Sequence, residues 1–330
     1  MRRGVVLAAA LAVVLVVPAA TADSSRAPAG RNAQRALAAY ETLLRTPRDG
    51  HAWPESQALA AKLLAARLPR APRRVARDAA DSLRRIERFR KGPVYAASPG
   101  GSVYWDDNEW LAQDLLLAGD VAAARRIFRA VVTAWDDDGG KPCAGGVQWT
   151  EARGNDDRNT VSTVNGALVG LELYARTKSP SALAWSRKML SWVDRCMLAG
   201  DGLTWDHIDG AGRVDRTHWT YNQGSLIGAL LVLSRTTHDE GALGRAEQLA
   251  DRSLAYFDAR RLAAEPPEFA AIFFRNLLRL AAVDGREDYV AAAQAYADRL
   301  WARRRSLSGQ LQRAALVQVY AALAAPTGAA

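Results

Sequence analysis

From Arg31 onward, apolar side chains recur every three or four residues along almost the whole chain, and alternating β-branched stretches are nearly absent. That period is helical. It predicts twelve helices, over about 31–46, 54–67, 72–90, 107–118, 121–135, 159–177, 180–198, 222–236, 239–260, 267–283, 286–304 and 308–324. Ala118-Gly119-Asp120, Lys178-Ser179-Pro180 and Asp284-Gly285-Arg286 each join a stop signal to a start signal. The connections are unequal in a regular way. Turns of about two to four residues lead into the fifth, seventh, ninth and eleventh segments, which must therefore run antiparallel to their predecessors. Long loops, 91–106, 136–158 and 199–221, precede the fourth, sixth and eighth.

Six antiparallel pairs joined in this way predict an all-α (α/α)6 toroid, with the even-numbered helices forming the inner ring and starting at a loop-bearing rim. The segments beginning Arg158-Asn159-Thr160, Asn222-Gln223-Gly224 and Pro267-Glu268-Phe269 are small and apolar on most faces, as helices enclosed on all sides must be. An open solenoid of stacked hairpins is the rival architecture. It usually carries a fixed sequence period, and none is visible.

Composition narrows the picture. Met1-Arg2-Arg3, thirteen unbroken apolar residues from Val5 to Val17, and Pro18-Ala19-Ala20-Thr21-Ala22 form the pattern of a secretory signal. The run is shorter than the roughly 20 residues of a membrane span. Residues 1–22 are therefore expected to be removed on export, leaving 23–330 as one domain, monomeric, without stable membrane insertion, and secreted or associated with the cell envelope. The formal net charge is +9, nearly all of it arginine with only five lysines. It is scattered along helices and reads as a solvated surface, although Arg67 to Arg77 and Arg303-Arg304-Arg305 could touch an anionic wall polymer. No nucleic-acid motif is present. The two cysteines, Cys143 and Cys196, could form one disulfide or remain thiols. The four histidines, His51, His207, His218 and His238, have no ligand spacing, and neither a metal nor a cofactor is expected.

The chemistry-bearing string is Tyr104-Trp105-Asp106-Asp107-Asn108-Glu109-Trp110. Asp106 followed by Glu109 also fits a helix capping box. Inside a cleft, however, two adjacent aspartates at a helix start cannot both ionise cheaply, so one stays a carboxylate while the other keeps its proton. Glycoside hydrolysis uses that division. The other long loops carry Gly145-Gly146-Val147-Gln148-Trp149, Trp205-Asp206-His207 and Trp219-Thr220-Tyr221-Asn222-Gln223-Gly224, a mixture of flat aromatic faces and hydroxyl-binding groups expected of a polar-ligand cleft. The catalytic candidates are Asp106 and Asp107. The candidate substrate-binding set is Trp105, Asn108, Trp149, Asn159, Trp205, Asp206, Trp219, Tyr221, Asn222 and Gln223. Trp185 and Trp192, seven apart on the seventh helix, are assigned to packing.

Together with Arg158-Asn159-Thr160-Val161-Ser162 and Glu268-Phe269-Ala270-Ala271-Ile272-Phe273-Phe274-Arg275, these strings resemble glycoside hydrolase family 76, the α-1,6-mannanases, in a secreted, actinobacterial-type form. The resemblance covers most of the chain from about residue 50. It implies an (α/α)6 fold and endo-hydrolysis of an α-mannan with retention, Asp106 acting as nucleophile and Asp107 as acid/base. Transglycosylation is open to some relatives. The chain departs from the family pattern at Ala270-Ala271, where Lys-Gly is usual, and at Thr163, where Asn is expected, and both changes bear on the sugar subsites. Two other readings stand beside this one: a sugar epimerase using His207 and His218, and a wall-glycan binding protein without turnover.

Overall fold

The computed structural model describes residues 26–325, with side chains from Ala29 onward. The expected signal segment at 1–22 lies outside the described residues. In chain order the helices are α1 (Arg26–Leu44), α2 (Ala52–Ala66), α3 (Arg73–Ile86), α4 (Trp105–Ala118), α5 (Val121–Thr133), α6 (Thr160–Thr177), α7 (Pro180–Cys196), α8 (Thr220–Thr237), α9 (Glu240–Tyr256), α10 (Ala259–Ala264), α11 (Pro267–Asp284), α12 (Glu287–Ala302) and α13 (Gly309–Ala324). Helices α2, α4, α6, α8, α11 and α13 pack each against the next, and α13 closes back onto α2. Outside them lie α1, α3, α5, α7, α9 and α12. The fold is an (α/α)6 toroid, and its closure removes the open solenoid.

The two rings read differently because they are enclosed differently. Inner α6 buries every residue from Thr160 to Leu171, whereas outer α5 buries a single stripe of Ala123, Ala124, Ile127, Phe128 and Val131. The main apolar core fills the space between the rings. Gly224 on α8 lies so close to α11 that an added Cβ would collide with the Phe273 backbone. The segment expected as one helix over 239–260 divides at Phe257, which is buried. Asp258 then restarts the chain by accepting from the Arg261 amide at 2.8 Å.

Short strands stitch the rim loops, which sequence periodicity did not foresee. β1 (Arg90–Lys91) pairs antiparallel with β2 (Val94–Tyr95), while β3 (Arg158–Asn159), β4 (His207–Ile208) and β5 (Val214–Asp215) form a three-stranded antiparallel sheet. Its register sets Asn159 opposite His207 and His207 opposite Asp215. Cys143 and Cys196 form a disulfide, Cα atoms 6.0 Å apart, tying the loop before α6 to the end of α7. The Trp192 indole, fully buried, donates to the Cys143 carbonyl at 3.0 Å. Gly146 has φ +93°, and a Cβ there would sit 2.6 Å from the Trp192 ring, so only glycine lets this loop lie down.

Candidate active site

All six inner helices start at the same rim, and the rim encloses a cavity of about 740 Å³. Its floor is an apolar plug separate from the main core, made of Trp53, Trp110, Val161, Tyr221 and Ile272, one residue each from α2, α4, α6, α8 and α11. Aromatic pairs stand around it: Trp53 with Trp110 at 5.9 Å, Tyr104 edge-on to Trp149 at 5.0 Å, and Tyr221 edge-on to Phe269 at 4.5 Å between ring centroids. Trp149 is 38% exposed, leaving an open face of the size a sugar ring can stack on.

Asp106 and Asp107 enter this cavity from the first turn of α4. Tyr104, not an aspartate, stands at the N-cap, and no side-chain cap bond forms, so the capping-box reading of Asp106 and Glu109 fails. The turn is held instead by the neighbouring loop. The Trp105 amide donates to the Trp149 carbonyl at 2.9 Å, and Tyr104 bridges to Thr150. Burial pushes the Asp106 carboxyl up to about 6, opposed by hydrogen bonds from the Asp107 backbone, the Trp149 side chain and its own backbone. Asp107 has no such compensation. Burial, then the adjacent Asp106 charge, holds it well above the ordinary carboxylate range. Asp106 is therefore the easier of the two to ionise, and Asp107 keeps the proton. One turn deeper, Glu109 is fully buried and neither oxygen meets a protein donor among the described residues. Burial and the Asp106 charge raise its carboxyl well above the ordinary range as well.

The remaining candidates separate into lining and support. Trp149, Asn159, Asp206 and Tyr221 line the cavity with the aspartates. Asp206 Oδ1 accepts from the Tyr221 hydroxyl at 3.0 Å and from the Asn222 amide at 3.1 Å, so Asn222 contributes from behind. Trp219 stacks on Tyr221, centroids 6.2 Å apart, without reaching the cavity lining. The other four do not face the cavity. Trp105 points into the main core. Asn108 is spent clamping the Tyr95 N–H and C=O, each at 2.8 Å. Gln223 holds the Thr204 backbone at 2.9 and 3.0 Å. Trp205 packs on the core with Arg216 over its ring. For the three on helices the reason is angular: successive positions turn by about 100°, so Trp105 and Asn108 on α4 and Gln223 on α8 point away from the face that Asp106, Asp107 and Tyr221 present, whereas Trp205 lies in a loop.

Several lining residues escaped the sequence reading, among them Asp49, His51, Trp53, Asp157 and Phe269. For Asp49, His51, Trp53 and Phe269 the signal was available, because helices two and ten of the expected ring start at the same rim as the rest; Asp157 lies in the long loop 136–158, next to the Arg158-Asn159 string. His207 lines the cavity, with its Nδ1 3.0 Å from Asp206. His218 instead binds the Thr204 carbonyl and faces Asp201, so it does not join His207 in the cavity as the epimerase reading requires. Asp206, His207 and Asp215 bring one possible ligand atom each within 4.8 Å. Asp206 is already committed to Tyr221, Asn222 and His207, and Asp215 accepts from the Thr217 amide.

The model of glycosyl hydrolase family 76 matches residues 121–306, more than half of the chain. The chain belongs to glycosyl hydrolase family 76. A family 76 mannosidase from Bacteroides thetaiotaomicron superposes with a TM-score of 0.78 at 19% identity, covering 89% of this chain and 98% of that one. An α-1,6-mannanase from a Salegentibacter species, in an inactive variant with two consecutive aspartates replaced by alanine and α-1,6-mannotetrose bound, superposes with a TM-score of 0.73 at 19% identity, covering 90% and 98%. The mannan endo-1,6-alpha-mannosidase of Saccharomyces cerevisiae is 28% identical over 146 residues, which is 41% of this chain and 31% of the yeast protein. The chain thus aligns with about a third of the curated relatives' length. Asp106 and Asp107 precede the stretch matched to family 76, so their roles are argued from geometry. The departures from the family pattern lie behind the lining. Ala270 and Ala271 are buried in the core, and Thr163 accepts from the Val147 amide at 2.9 Å, pinning the loop that carries Trp149.

Proposed function

We propose that this family 76 chain is an exported, retaining endo-α-1,6-mannanase acting on mannan or a lipomannan-type polysaccharide, with Asp106 as nucleophile and Asp107 as acid/base. The observation that carries the reading is the unequal environment of two adjacent carboxyls in one aromatic-walled cavity. The Asp107 backbone and the Trp149 side chain favour the Asp106 anion, although its Oδ1 meets no donor among the described residues, and Asp107 has no such help. An anion beside a neutral acid is the starting state of double displacement. Asp107 gives its proton to the departing glycosidic oxygen as the Asp106 carboxylate attacks the anomeric carbon and forms a glycosyl-enzyme. Asp107, now anionic, takes a proton from water, which attacks the same carbon and releases Asp106. Trp149 and Tyr221 offer apolar faces to the pyranose rings, and Asn159 and Asp206 offer hydroxyl partners. The names of the yeast and Salegentibacter proteins, and the mannotetrose bound by the latter, support α-1,6-mannan as substrate.

The test is incubation of the purified 23–330 protein with linear α-1,6-mannan and with a branched mannan, followed by product sizing. Internal cleavage of the linear polymer to short oligosaccharides is expected. Release of monosaccharide alone, or none from either polymer, contradicts the reading.

A further inference from the structure

The cavity's charge runs opposite to that of the chain. Against a formal net charge of +9, the lining contains five aspartates, Asp49, Asp106, Asp107, Asp157 and Asp206, two histidines and, among the described residues, no lysine or arginine. The cations that the rim loops carry are turned elsewhere. Arg158, next to Asp157 in sequence, is fully buried and donates to the carbonyls of Cys143, Pro142 and Asp209. Arg48, next to Asp49, lies near Lys62 and Arg85 instead. Lys91 pairs with Glu151, and Arg213 with Asp209. Inside the cavity, His207 sits 3.0 Å from Asp206 and His51 2.6 Å from Asp49, imidazoles that offset these charges only when protonated, while Asp106 and Asp107 share one proton. Asp49, whose one partner among the described lining side chains is His51 at 2.6 Å, and Asp157 add negative charge from two separate loops.

The geometry points to a cleft that sorts glycans by charge: it admits neutral and amine-bearing mannosides and rejects those carrying a carboxylate or phosphate, with Asp49 and Asp157 as specificity-determining residues. This rests on the mannanase reading. The low-dielectric floor of Trp53 and Trp110 and the Trp149 wall focus the field of the aspartates into the cavity. A substituent anion about 7 Å from two or three like charges loses roughly tenfold in affinity even at a water-like dielectric. The basic exterior, by contrast, suits a wall polymer that carries anions elsewhere, so the charge of the whole chain and the charge of its cleft select different parts of one envelope.

The test uses three α-1,6-mannotetraoses of equal length, one neutral, one with a carboxylate and one with an amine at C6 of the terminal mannose. Each is bound to the wild-type protein and to the Asp49→Asn/Asp157→Asn double variant by calorimetry, and cleavage is followed in parallel. At low salt the carboxylate form should bind and turn over about tenfold less well than the neutral form, the amine form at least as well. The gap should narrow as salt shortens the screening length from about 30 to about 10 Å between 0.01 and 0.1 M, and should shrink in the double variant. Equal binding of the carboxylate and neutral forms overturns the inference, as does equal rejection of carboxylate and amine, which is what a steric block would give. Charge-sorted binding without cleavage of any tetraose upholds the sorting and removes the mannanase reading. Absence of binding by all three removes both.

Discussion

Two aspartates one residue apart share a cavity but not an environment, and the difference is what single substitutions should expose. Asp106→Asn removes the nucleophile for every leaving group, so it should be inactive on mannan and on an activated aryl mannoside alike. Asp107→Asn removes only the proton donor, worth about 10²–10⁴-fold. It should still form glycosyl-enzyme from the activated substrate, and azide should restore turnover, checked by release of the aryl group. Azide rescue of Asp106→Asn with a product of retained configuration would exchange the roles. The same environments set the pH profile. Activity needs Asp106 ionised, and its carboxyl is pushed up to about 6, so the rate should rise with pH through that region. It should fall again as Asp107, held well above the ordinary range, loses its proton. The two limbs belong to the pair and not to either residue alone, so measuring them on the aryl mannoside with Asp107→Asn should remove the alkaline limb. An unchanged bell in that variant would mean that Asp107 is not the acid.

At the scale of elements, the inner helices bury groups that an ordinary helix would leave in water. Asp114 on α4 is 3% exposed and accepts from the Ser56 hydroxyl on α2 at 2.8 Å. Burial pushes its carboxyl up from 3.8 to about 7 despite Arg275. The folded chain therefore binds this proton more tightly than the unfolded one. The resulting stability is complete below about pH 4 and is lost as pH rises through about 7. At about 1.4 kcal/mol per unit the loss is about 4 kcal/mol. Urea unfolding at pH 4 and pH 8 should show a larger drop for the wild type than for Asp114→Asn, and equal drops would contradict the account.

The helices themselves were legible, because 3.6-residue periodicity and stop-start pairs such as Asp284-Gly285-Arg286 survive in any context. The split at Phe257 was not legible, since an apolar residue that leaves a helix and one that continues it look alike in sequence. Nor were the rim strands, two residues each, too short to show alternation. Asn108 and Gln223 show the same limit at the site: an amide near catalytic residues reads as a ligand group until the backbone it clamps is known. Trp53 and Asp49 were missed because the loop before α2 is short, although its place on the rim follows from the ring.

The whole molecule explains why chemistry gathers where it does. Closing six inner helices into a ring aims six N-termini at one mouth, and the long connections, stitched by β3, β4 and β5 and pinned by the Cys143–Cys196 disulfide, build its walls. Positive helix ends favour the Asp106 anion, while burial raises the Asp107 and Glu109 carboxyls well above the ordinary range. One reaction course follows from that arrangement, and one measurement tests it: early-time proton NMR of linear α-1,6-mannan cleaved by the 23–330 protein. Double displacement through Asp106 predicts that the newly formed reducing ends appear first as the α-anomer and equilibrate afterwards. Reducing ends that appear first as the β-anomer, or that never form, would contradict it.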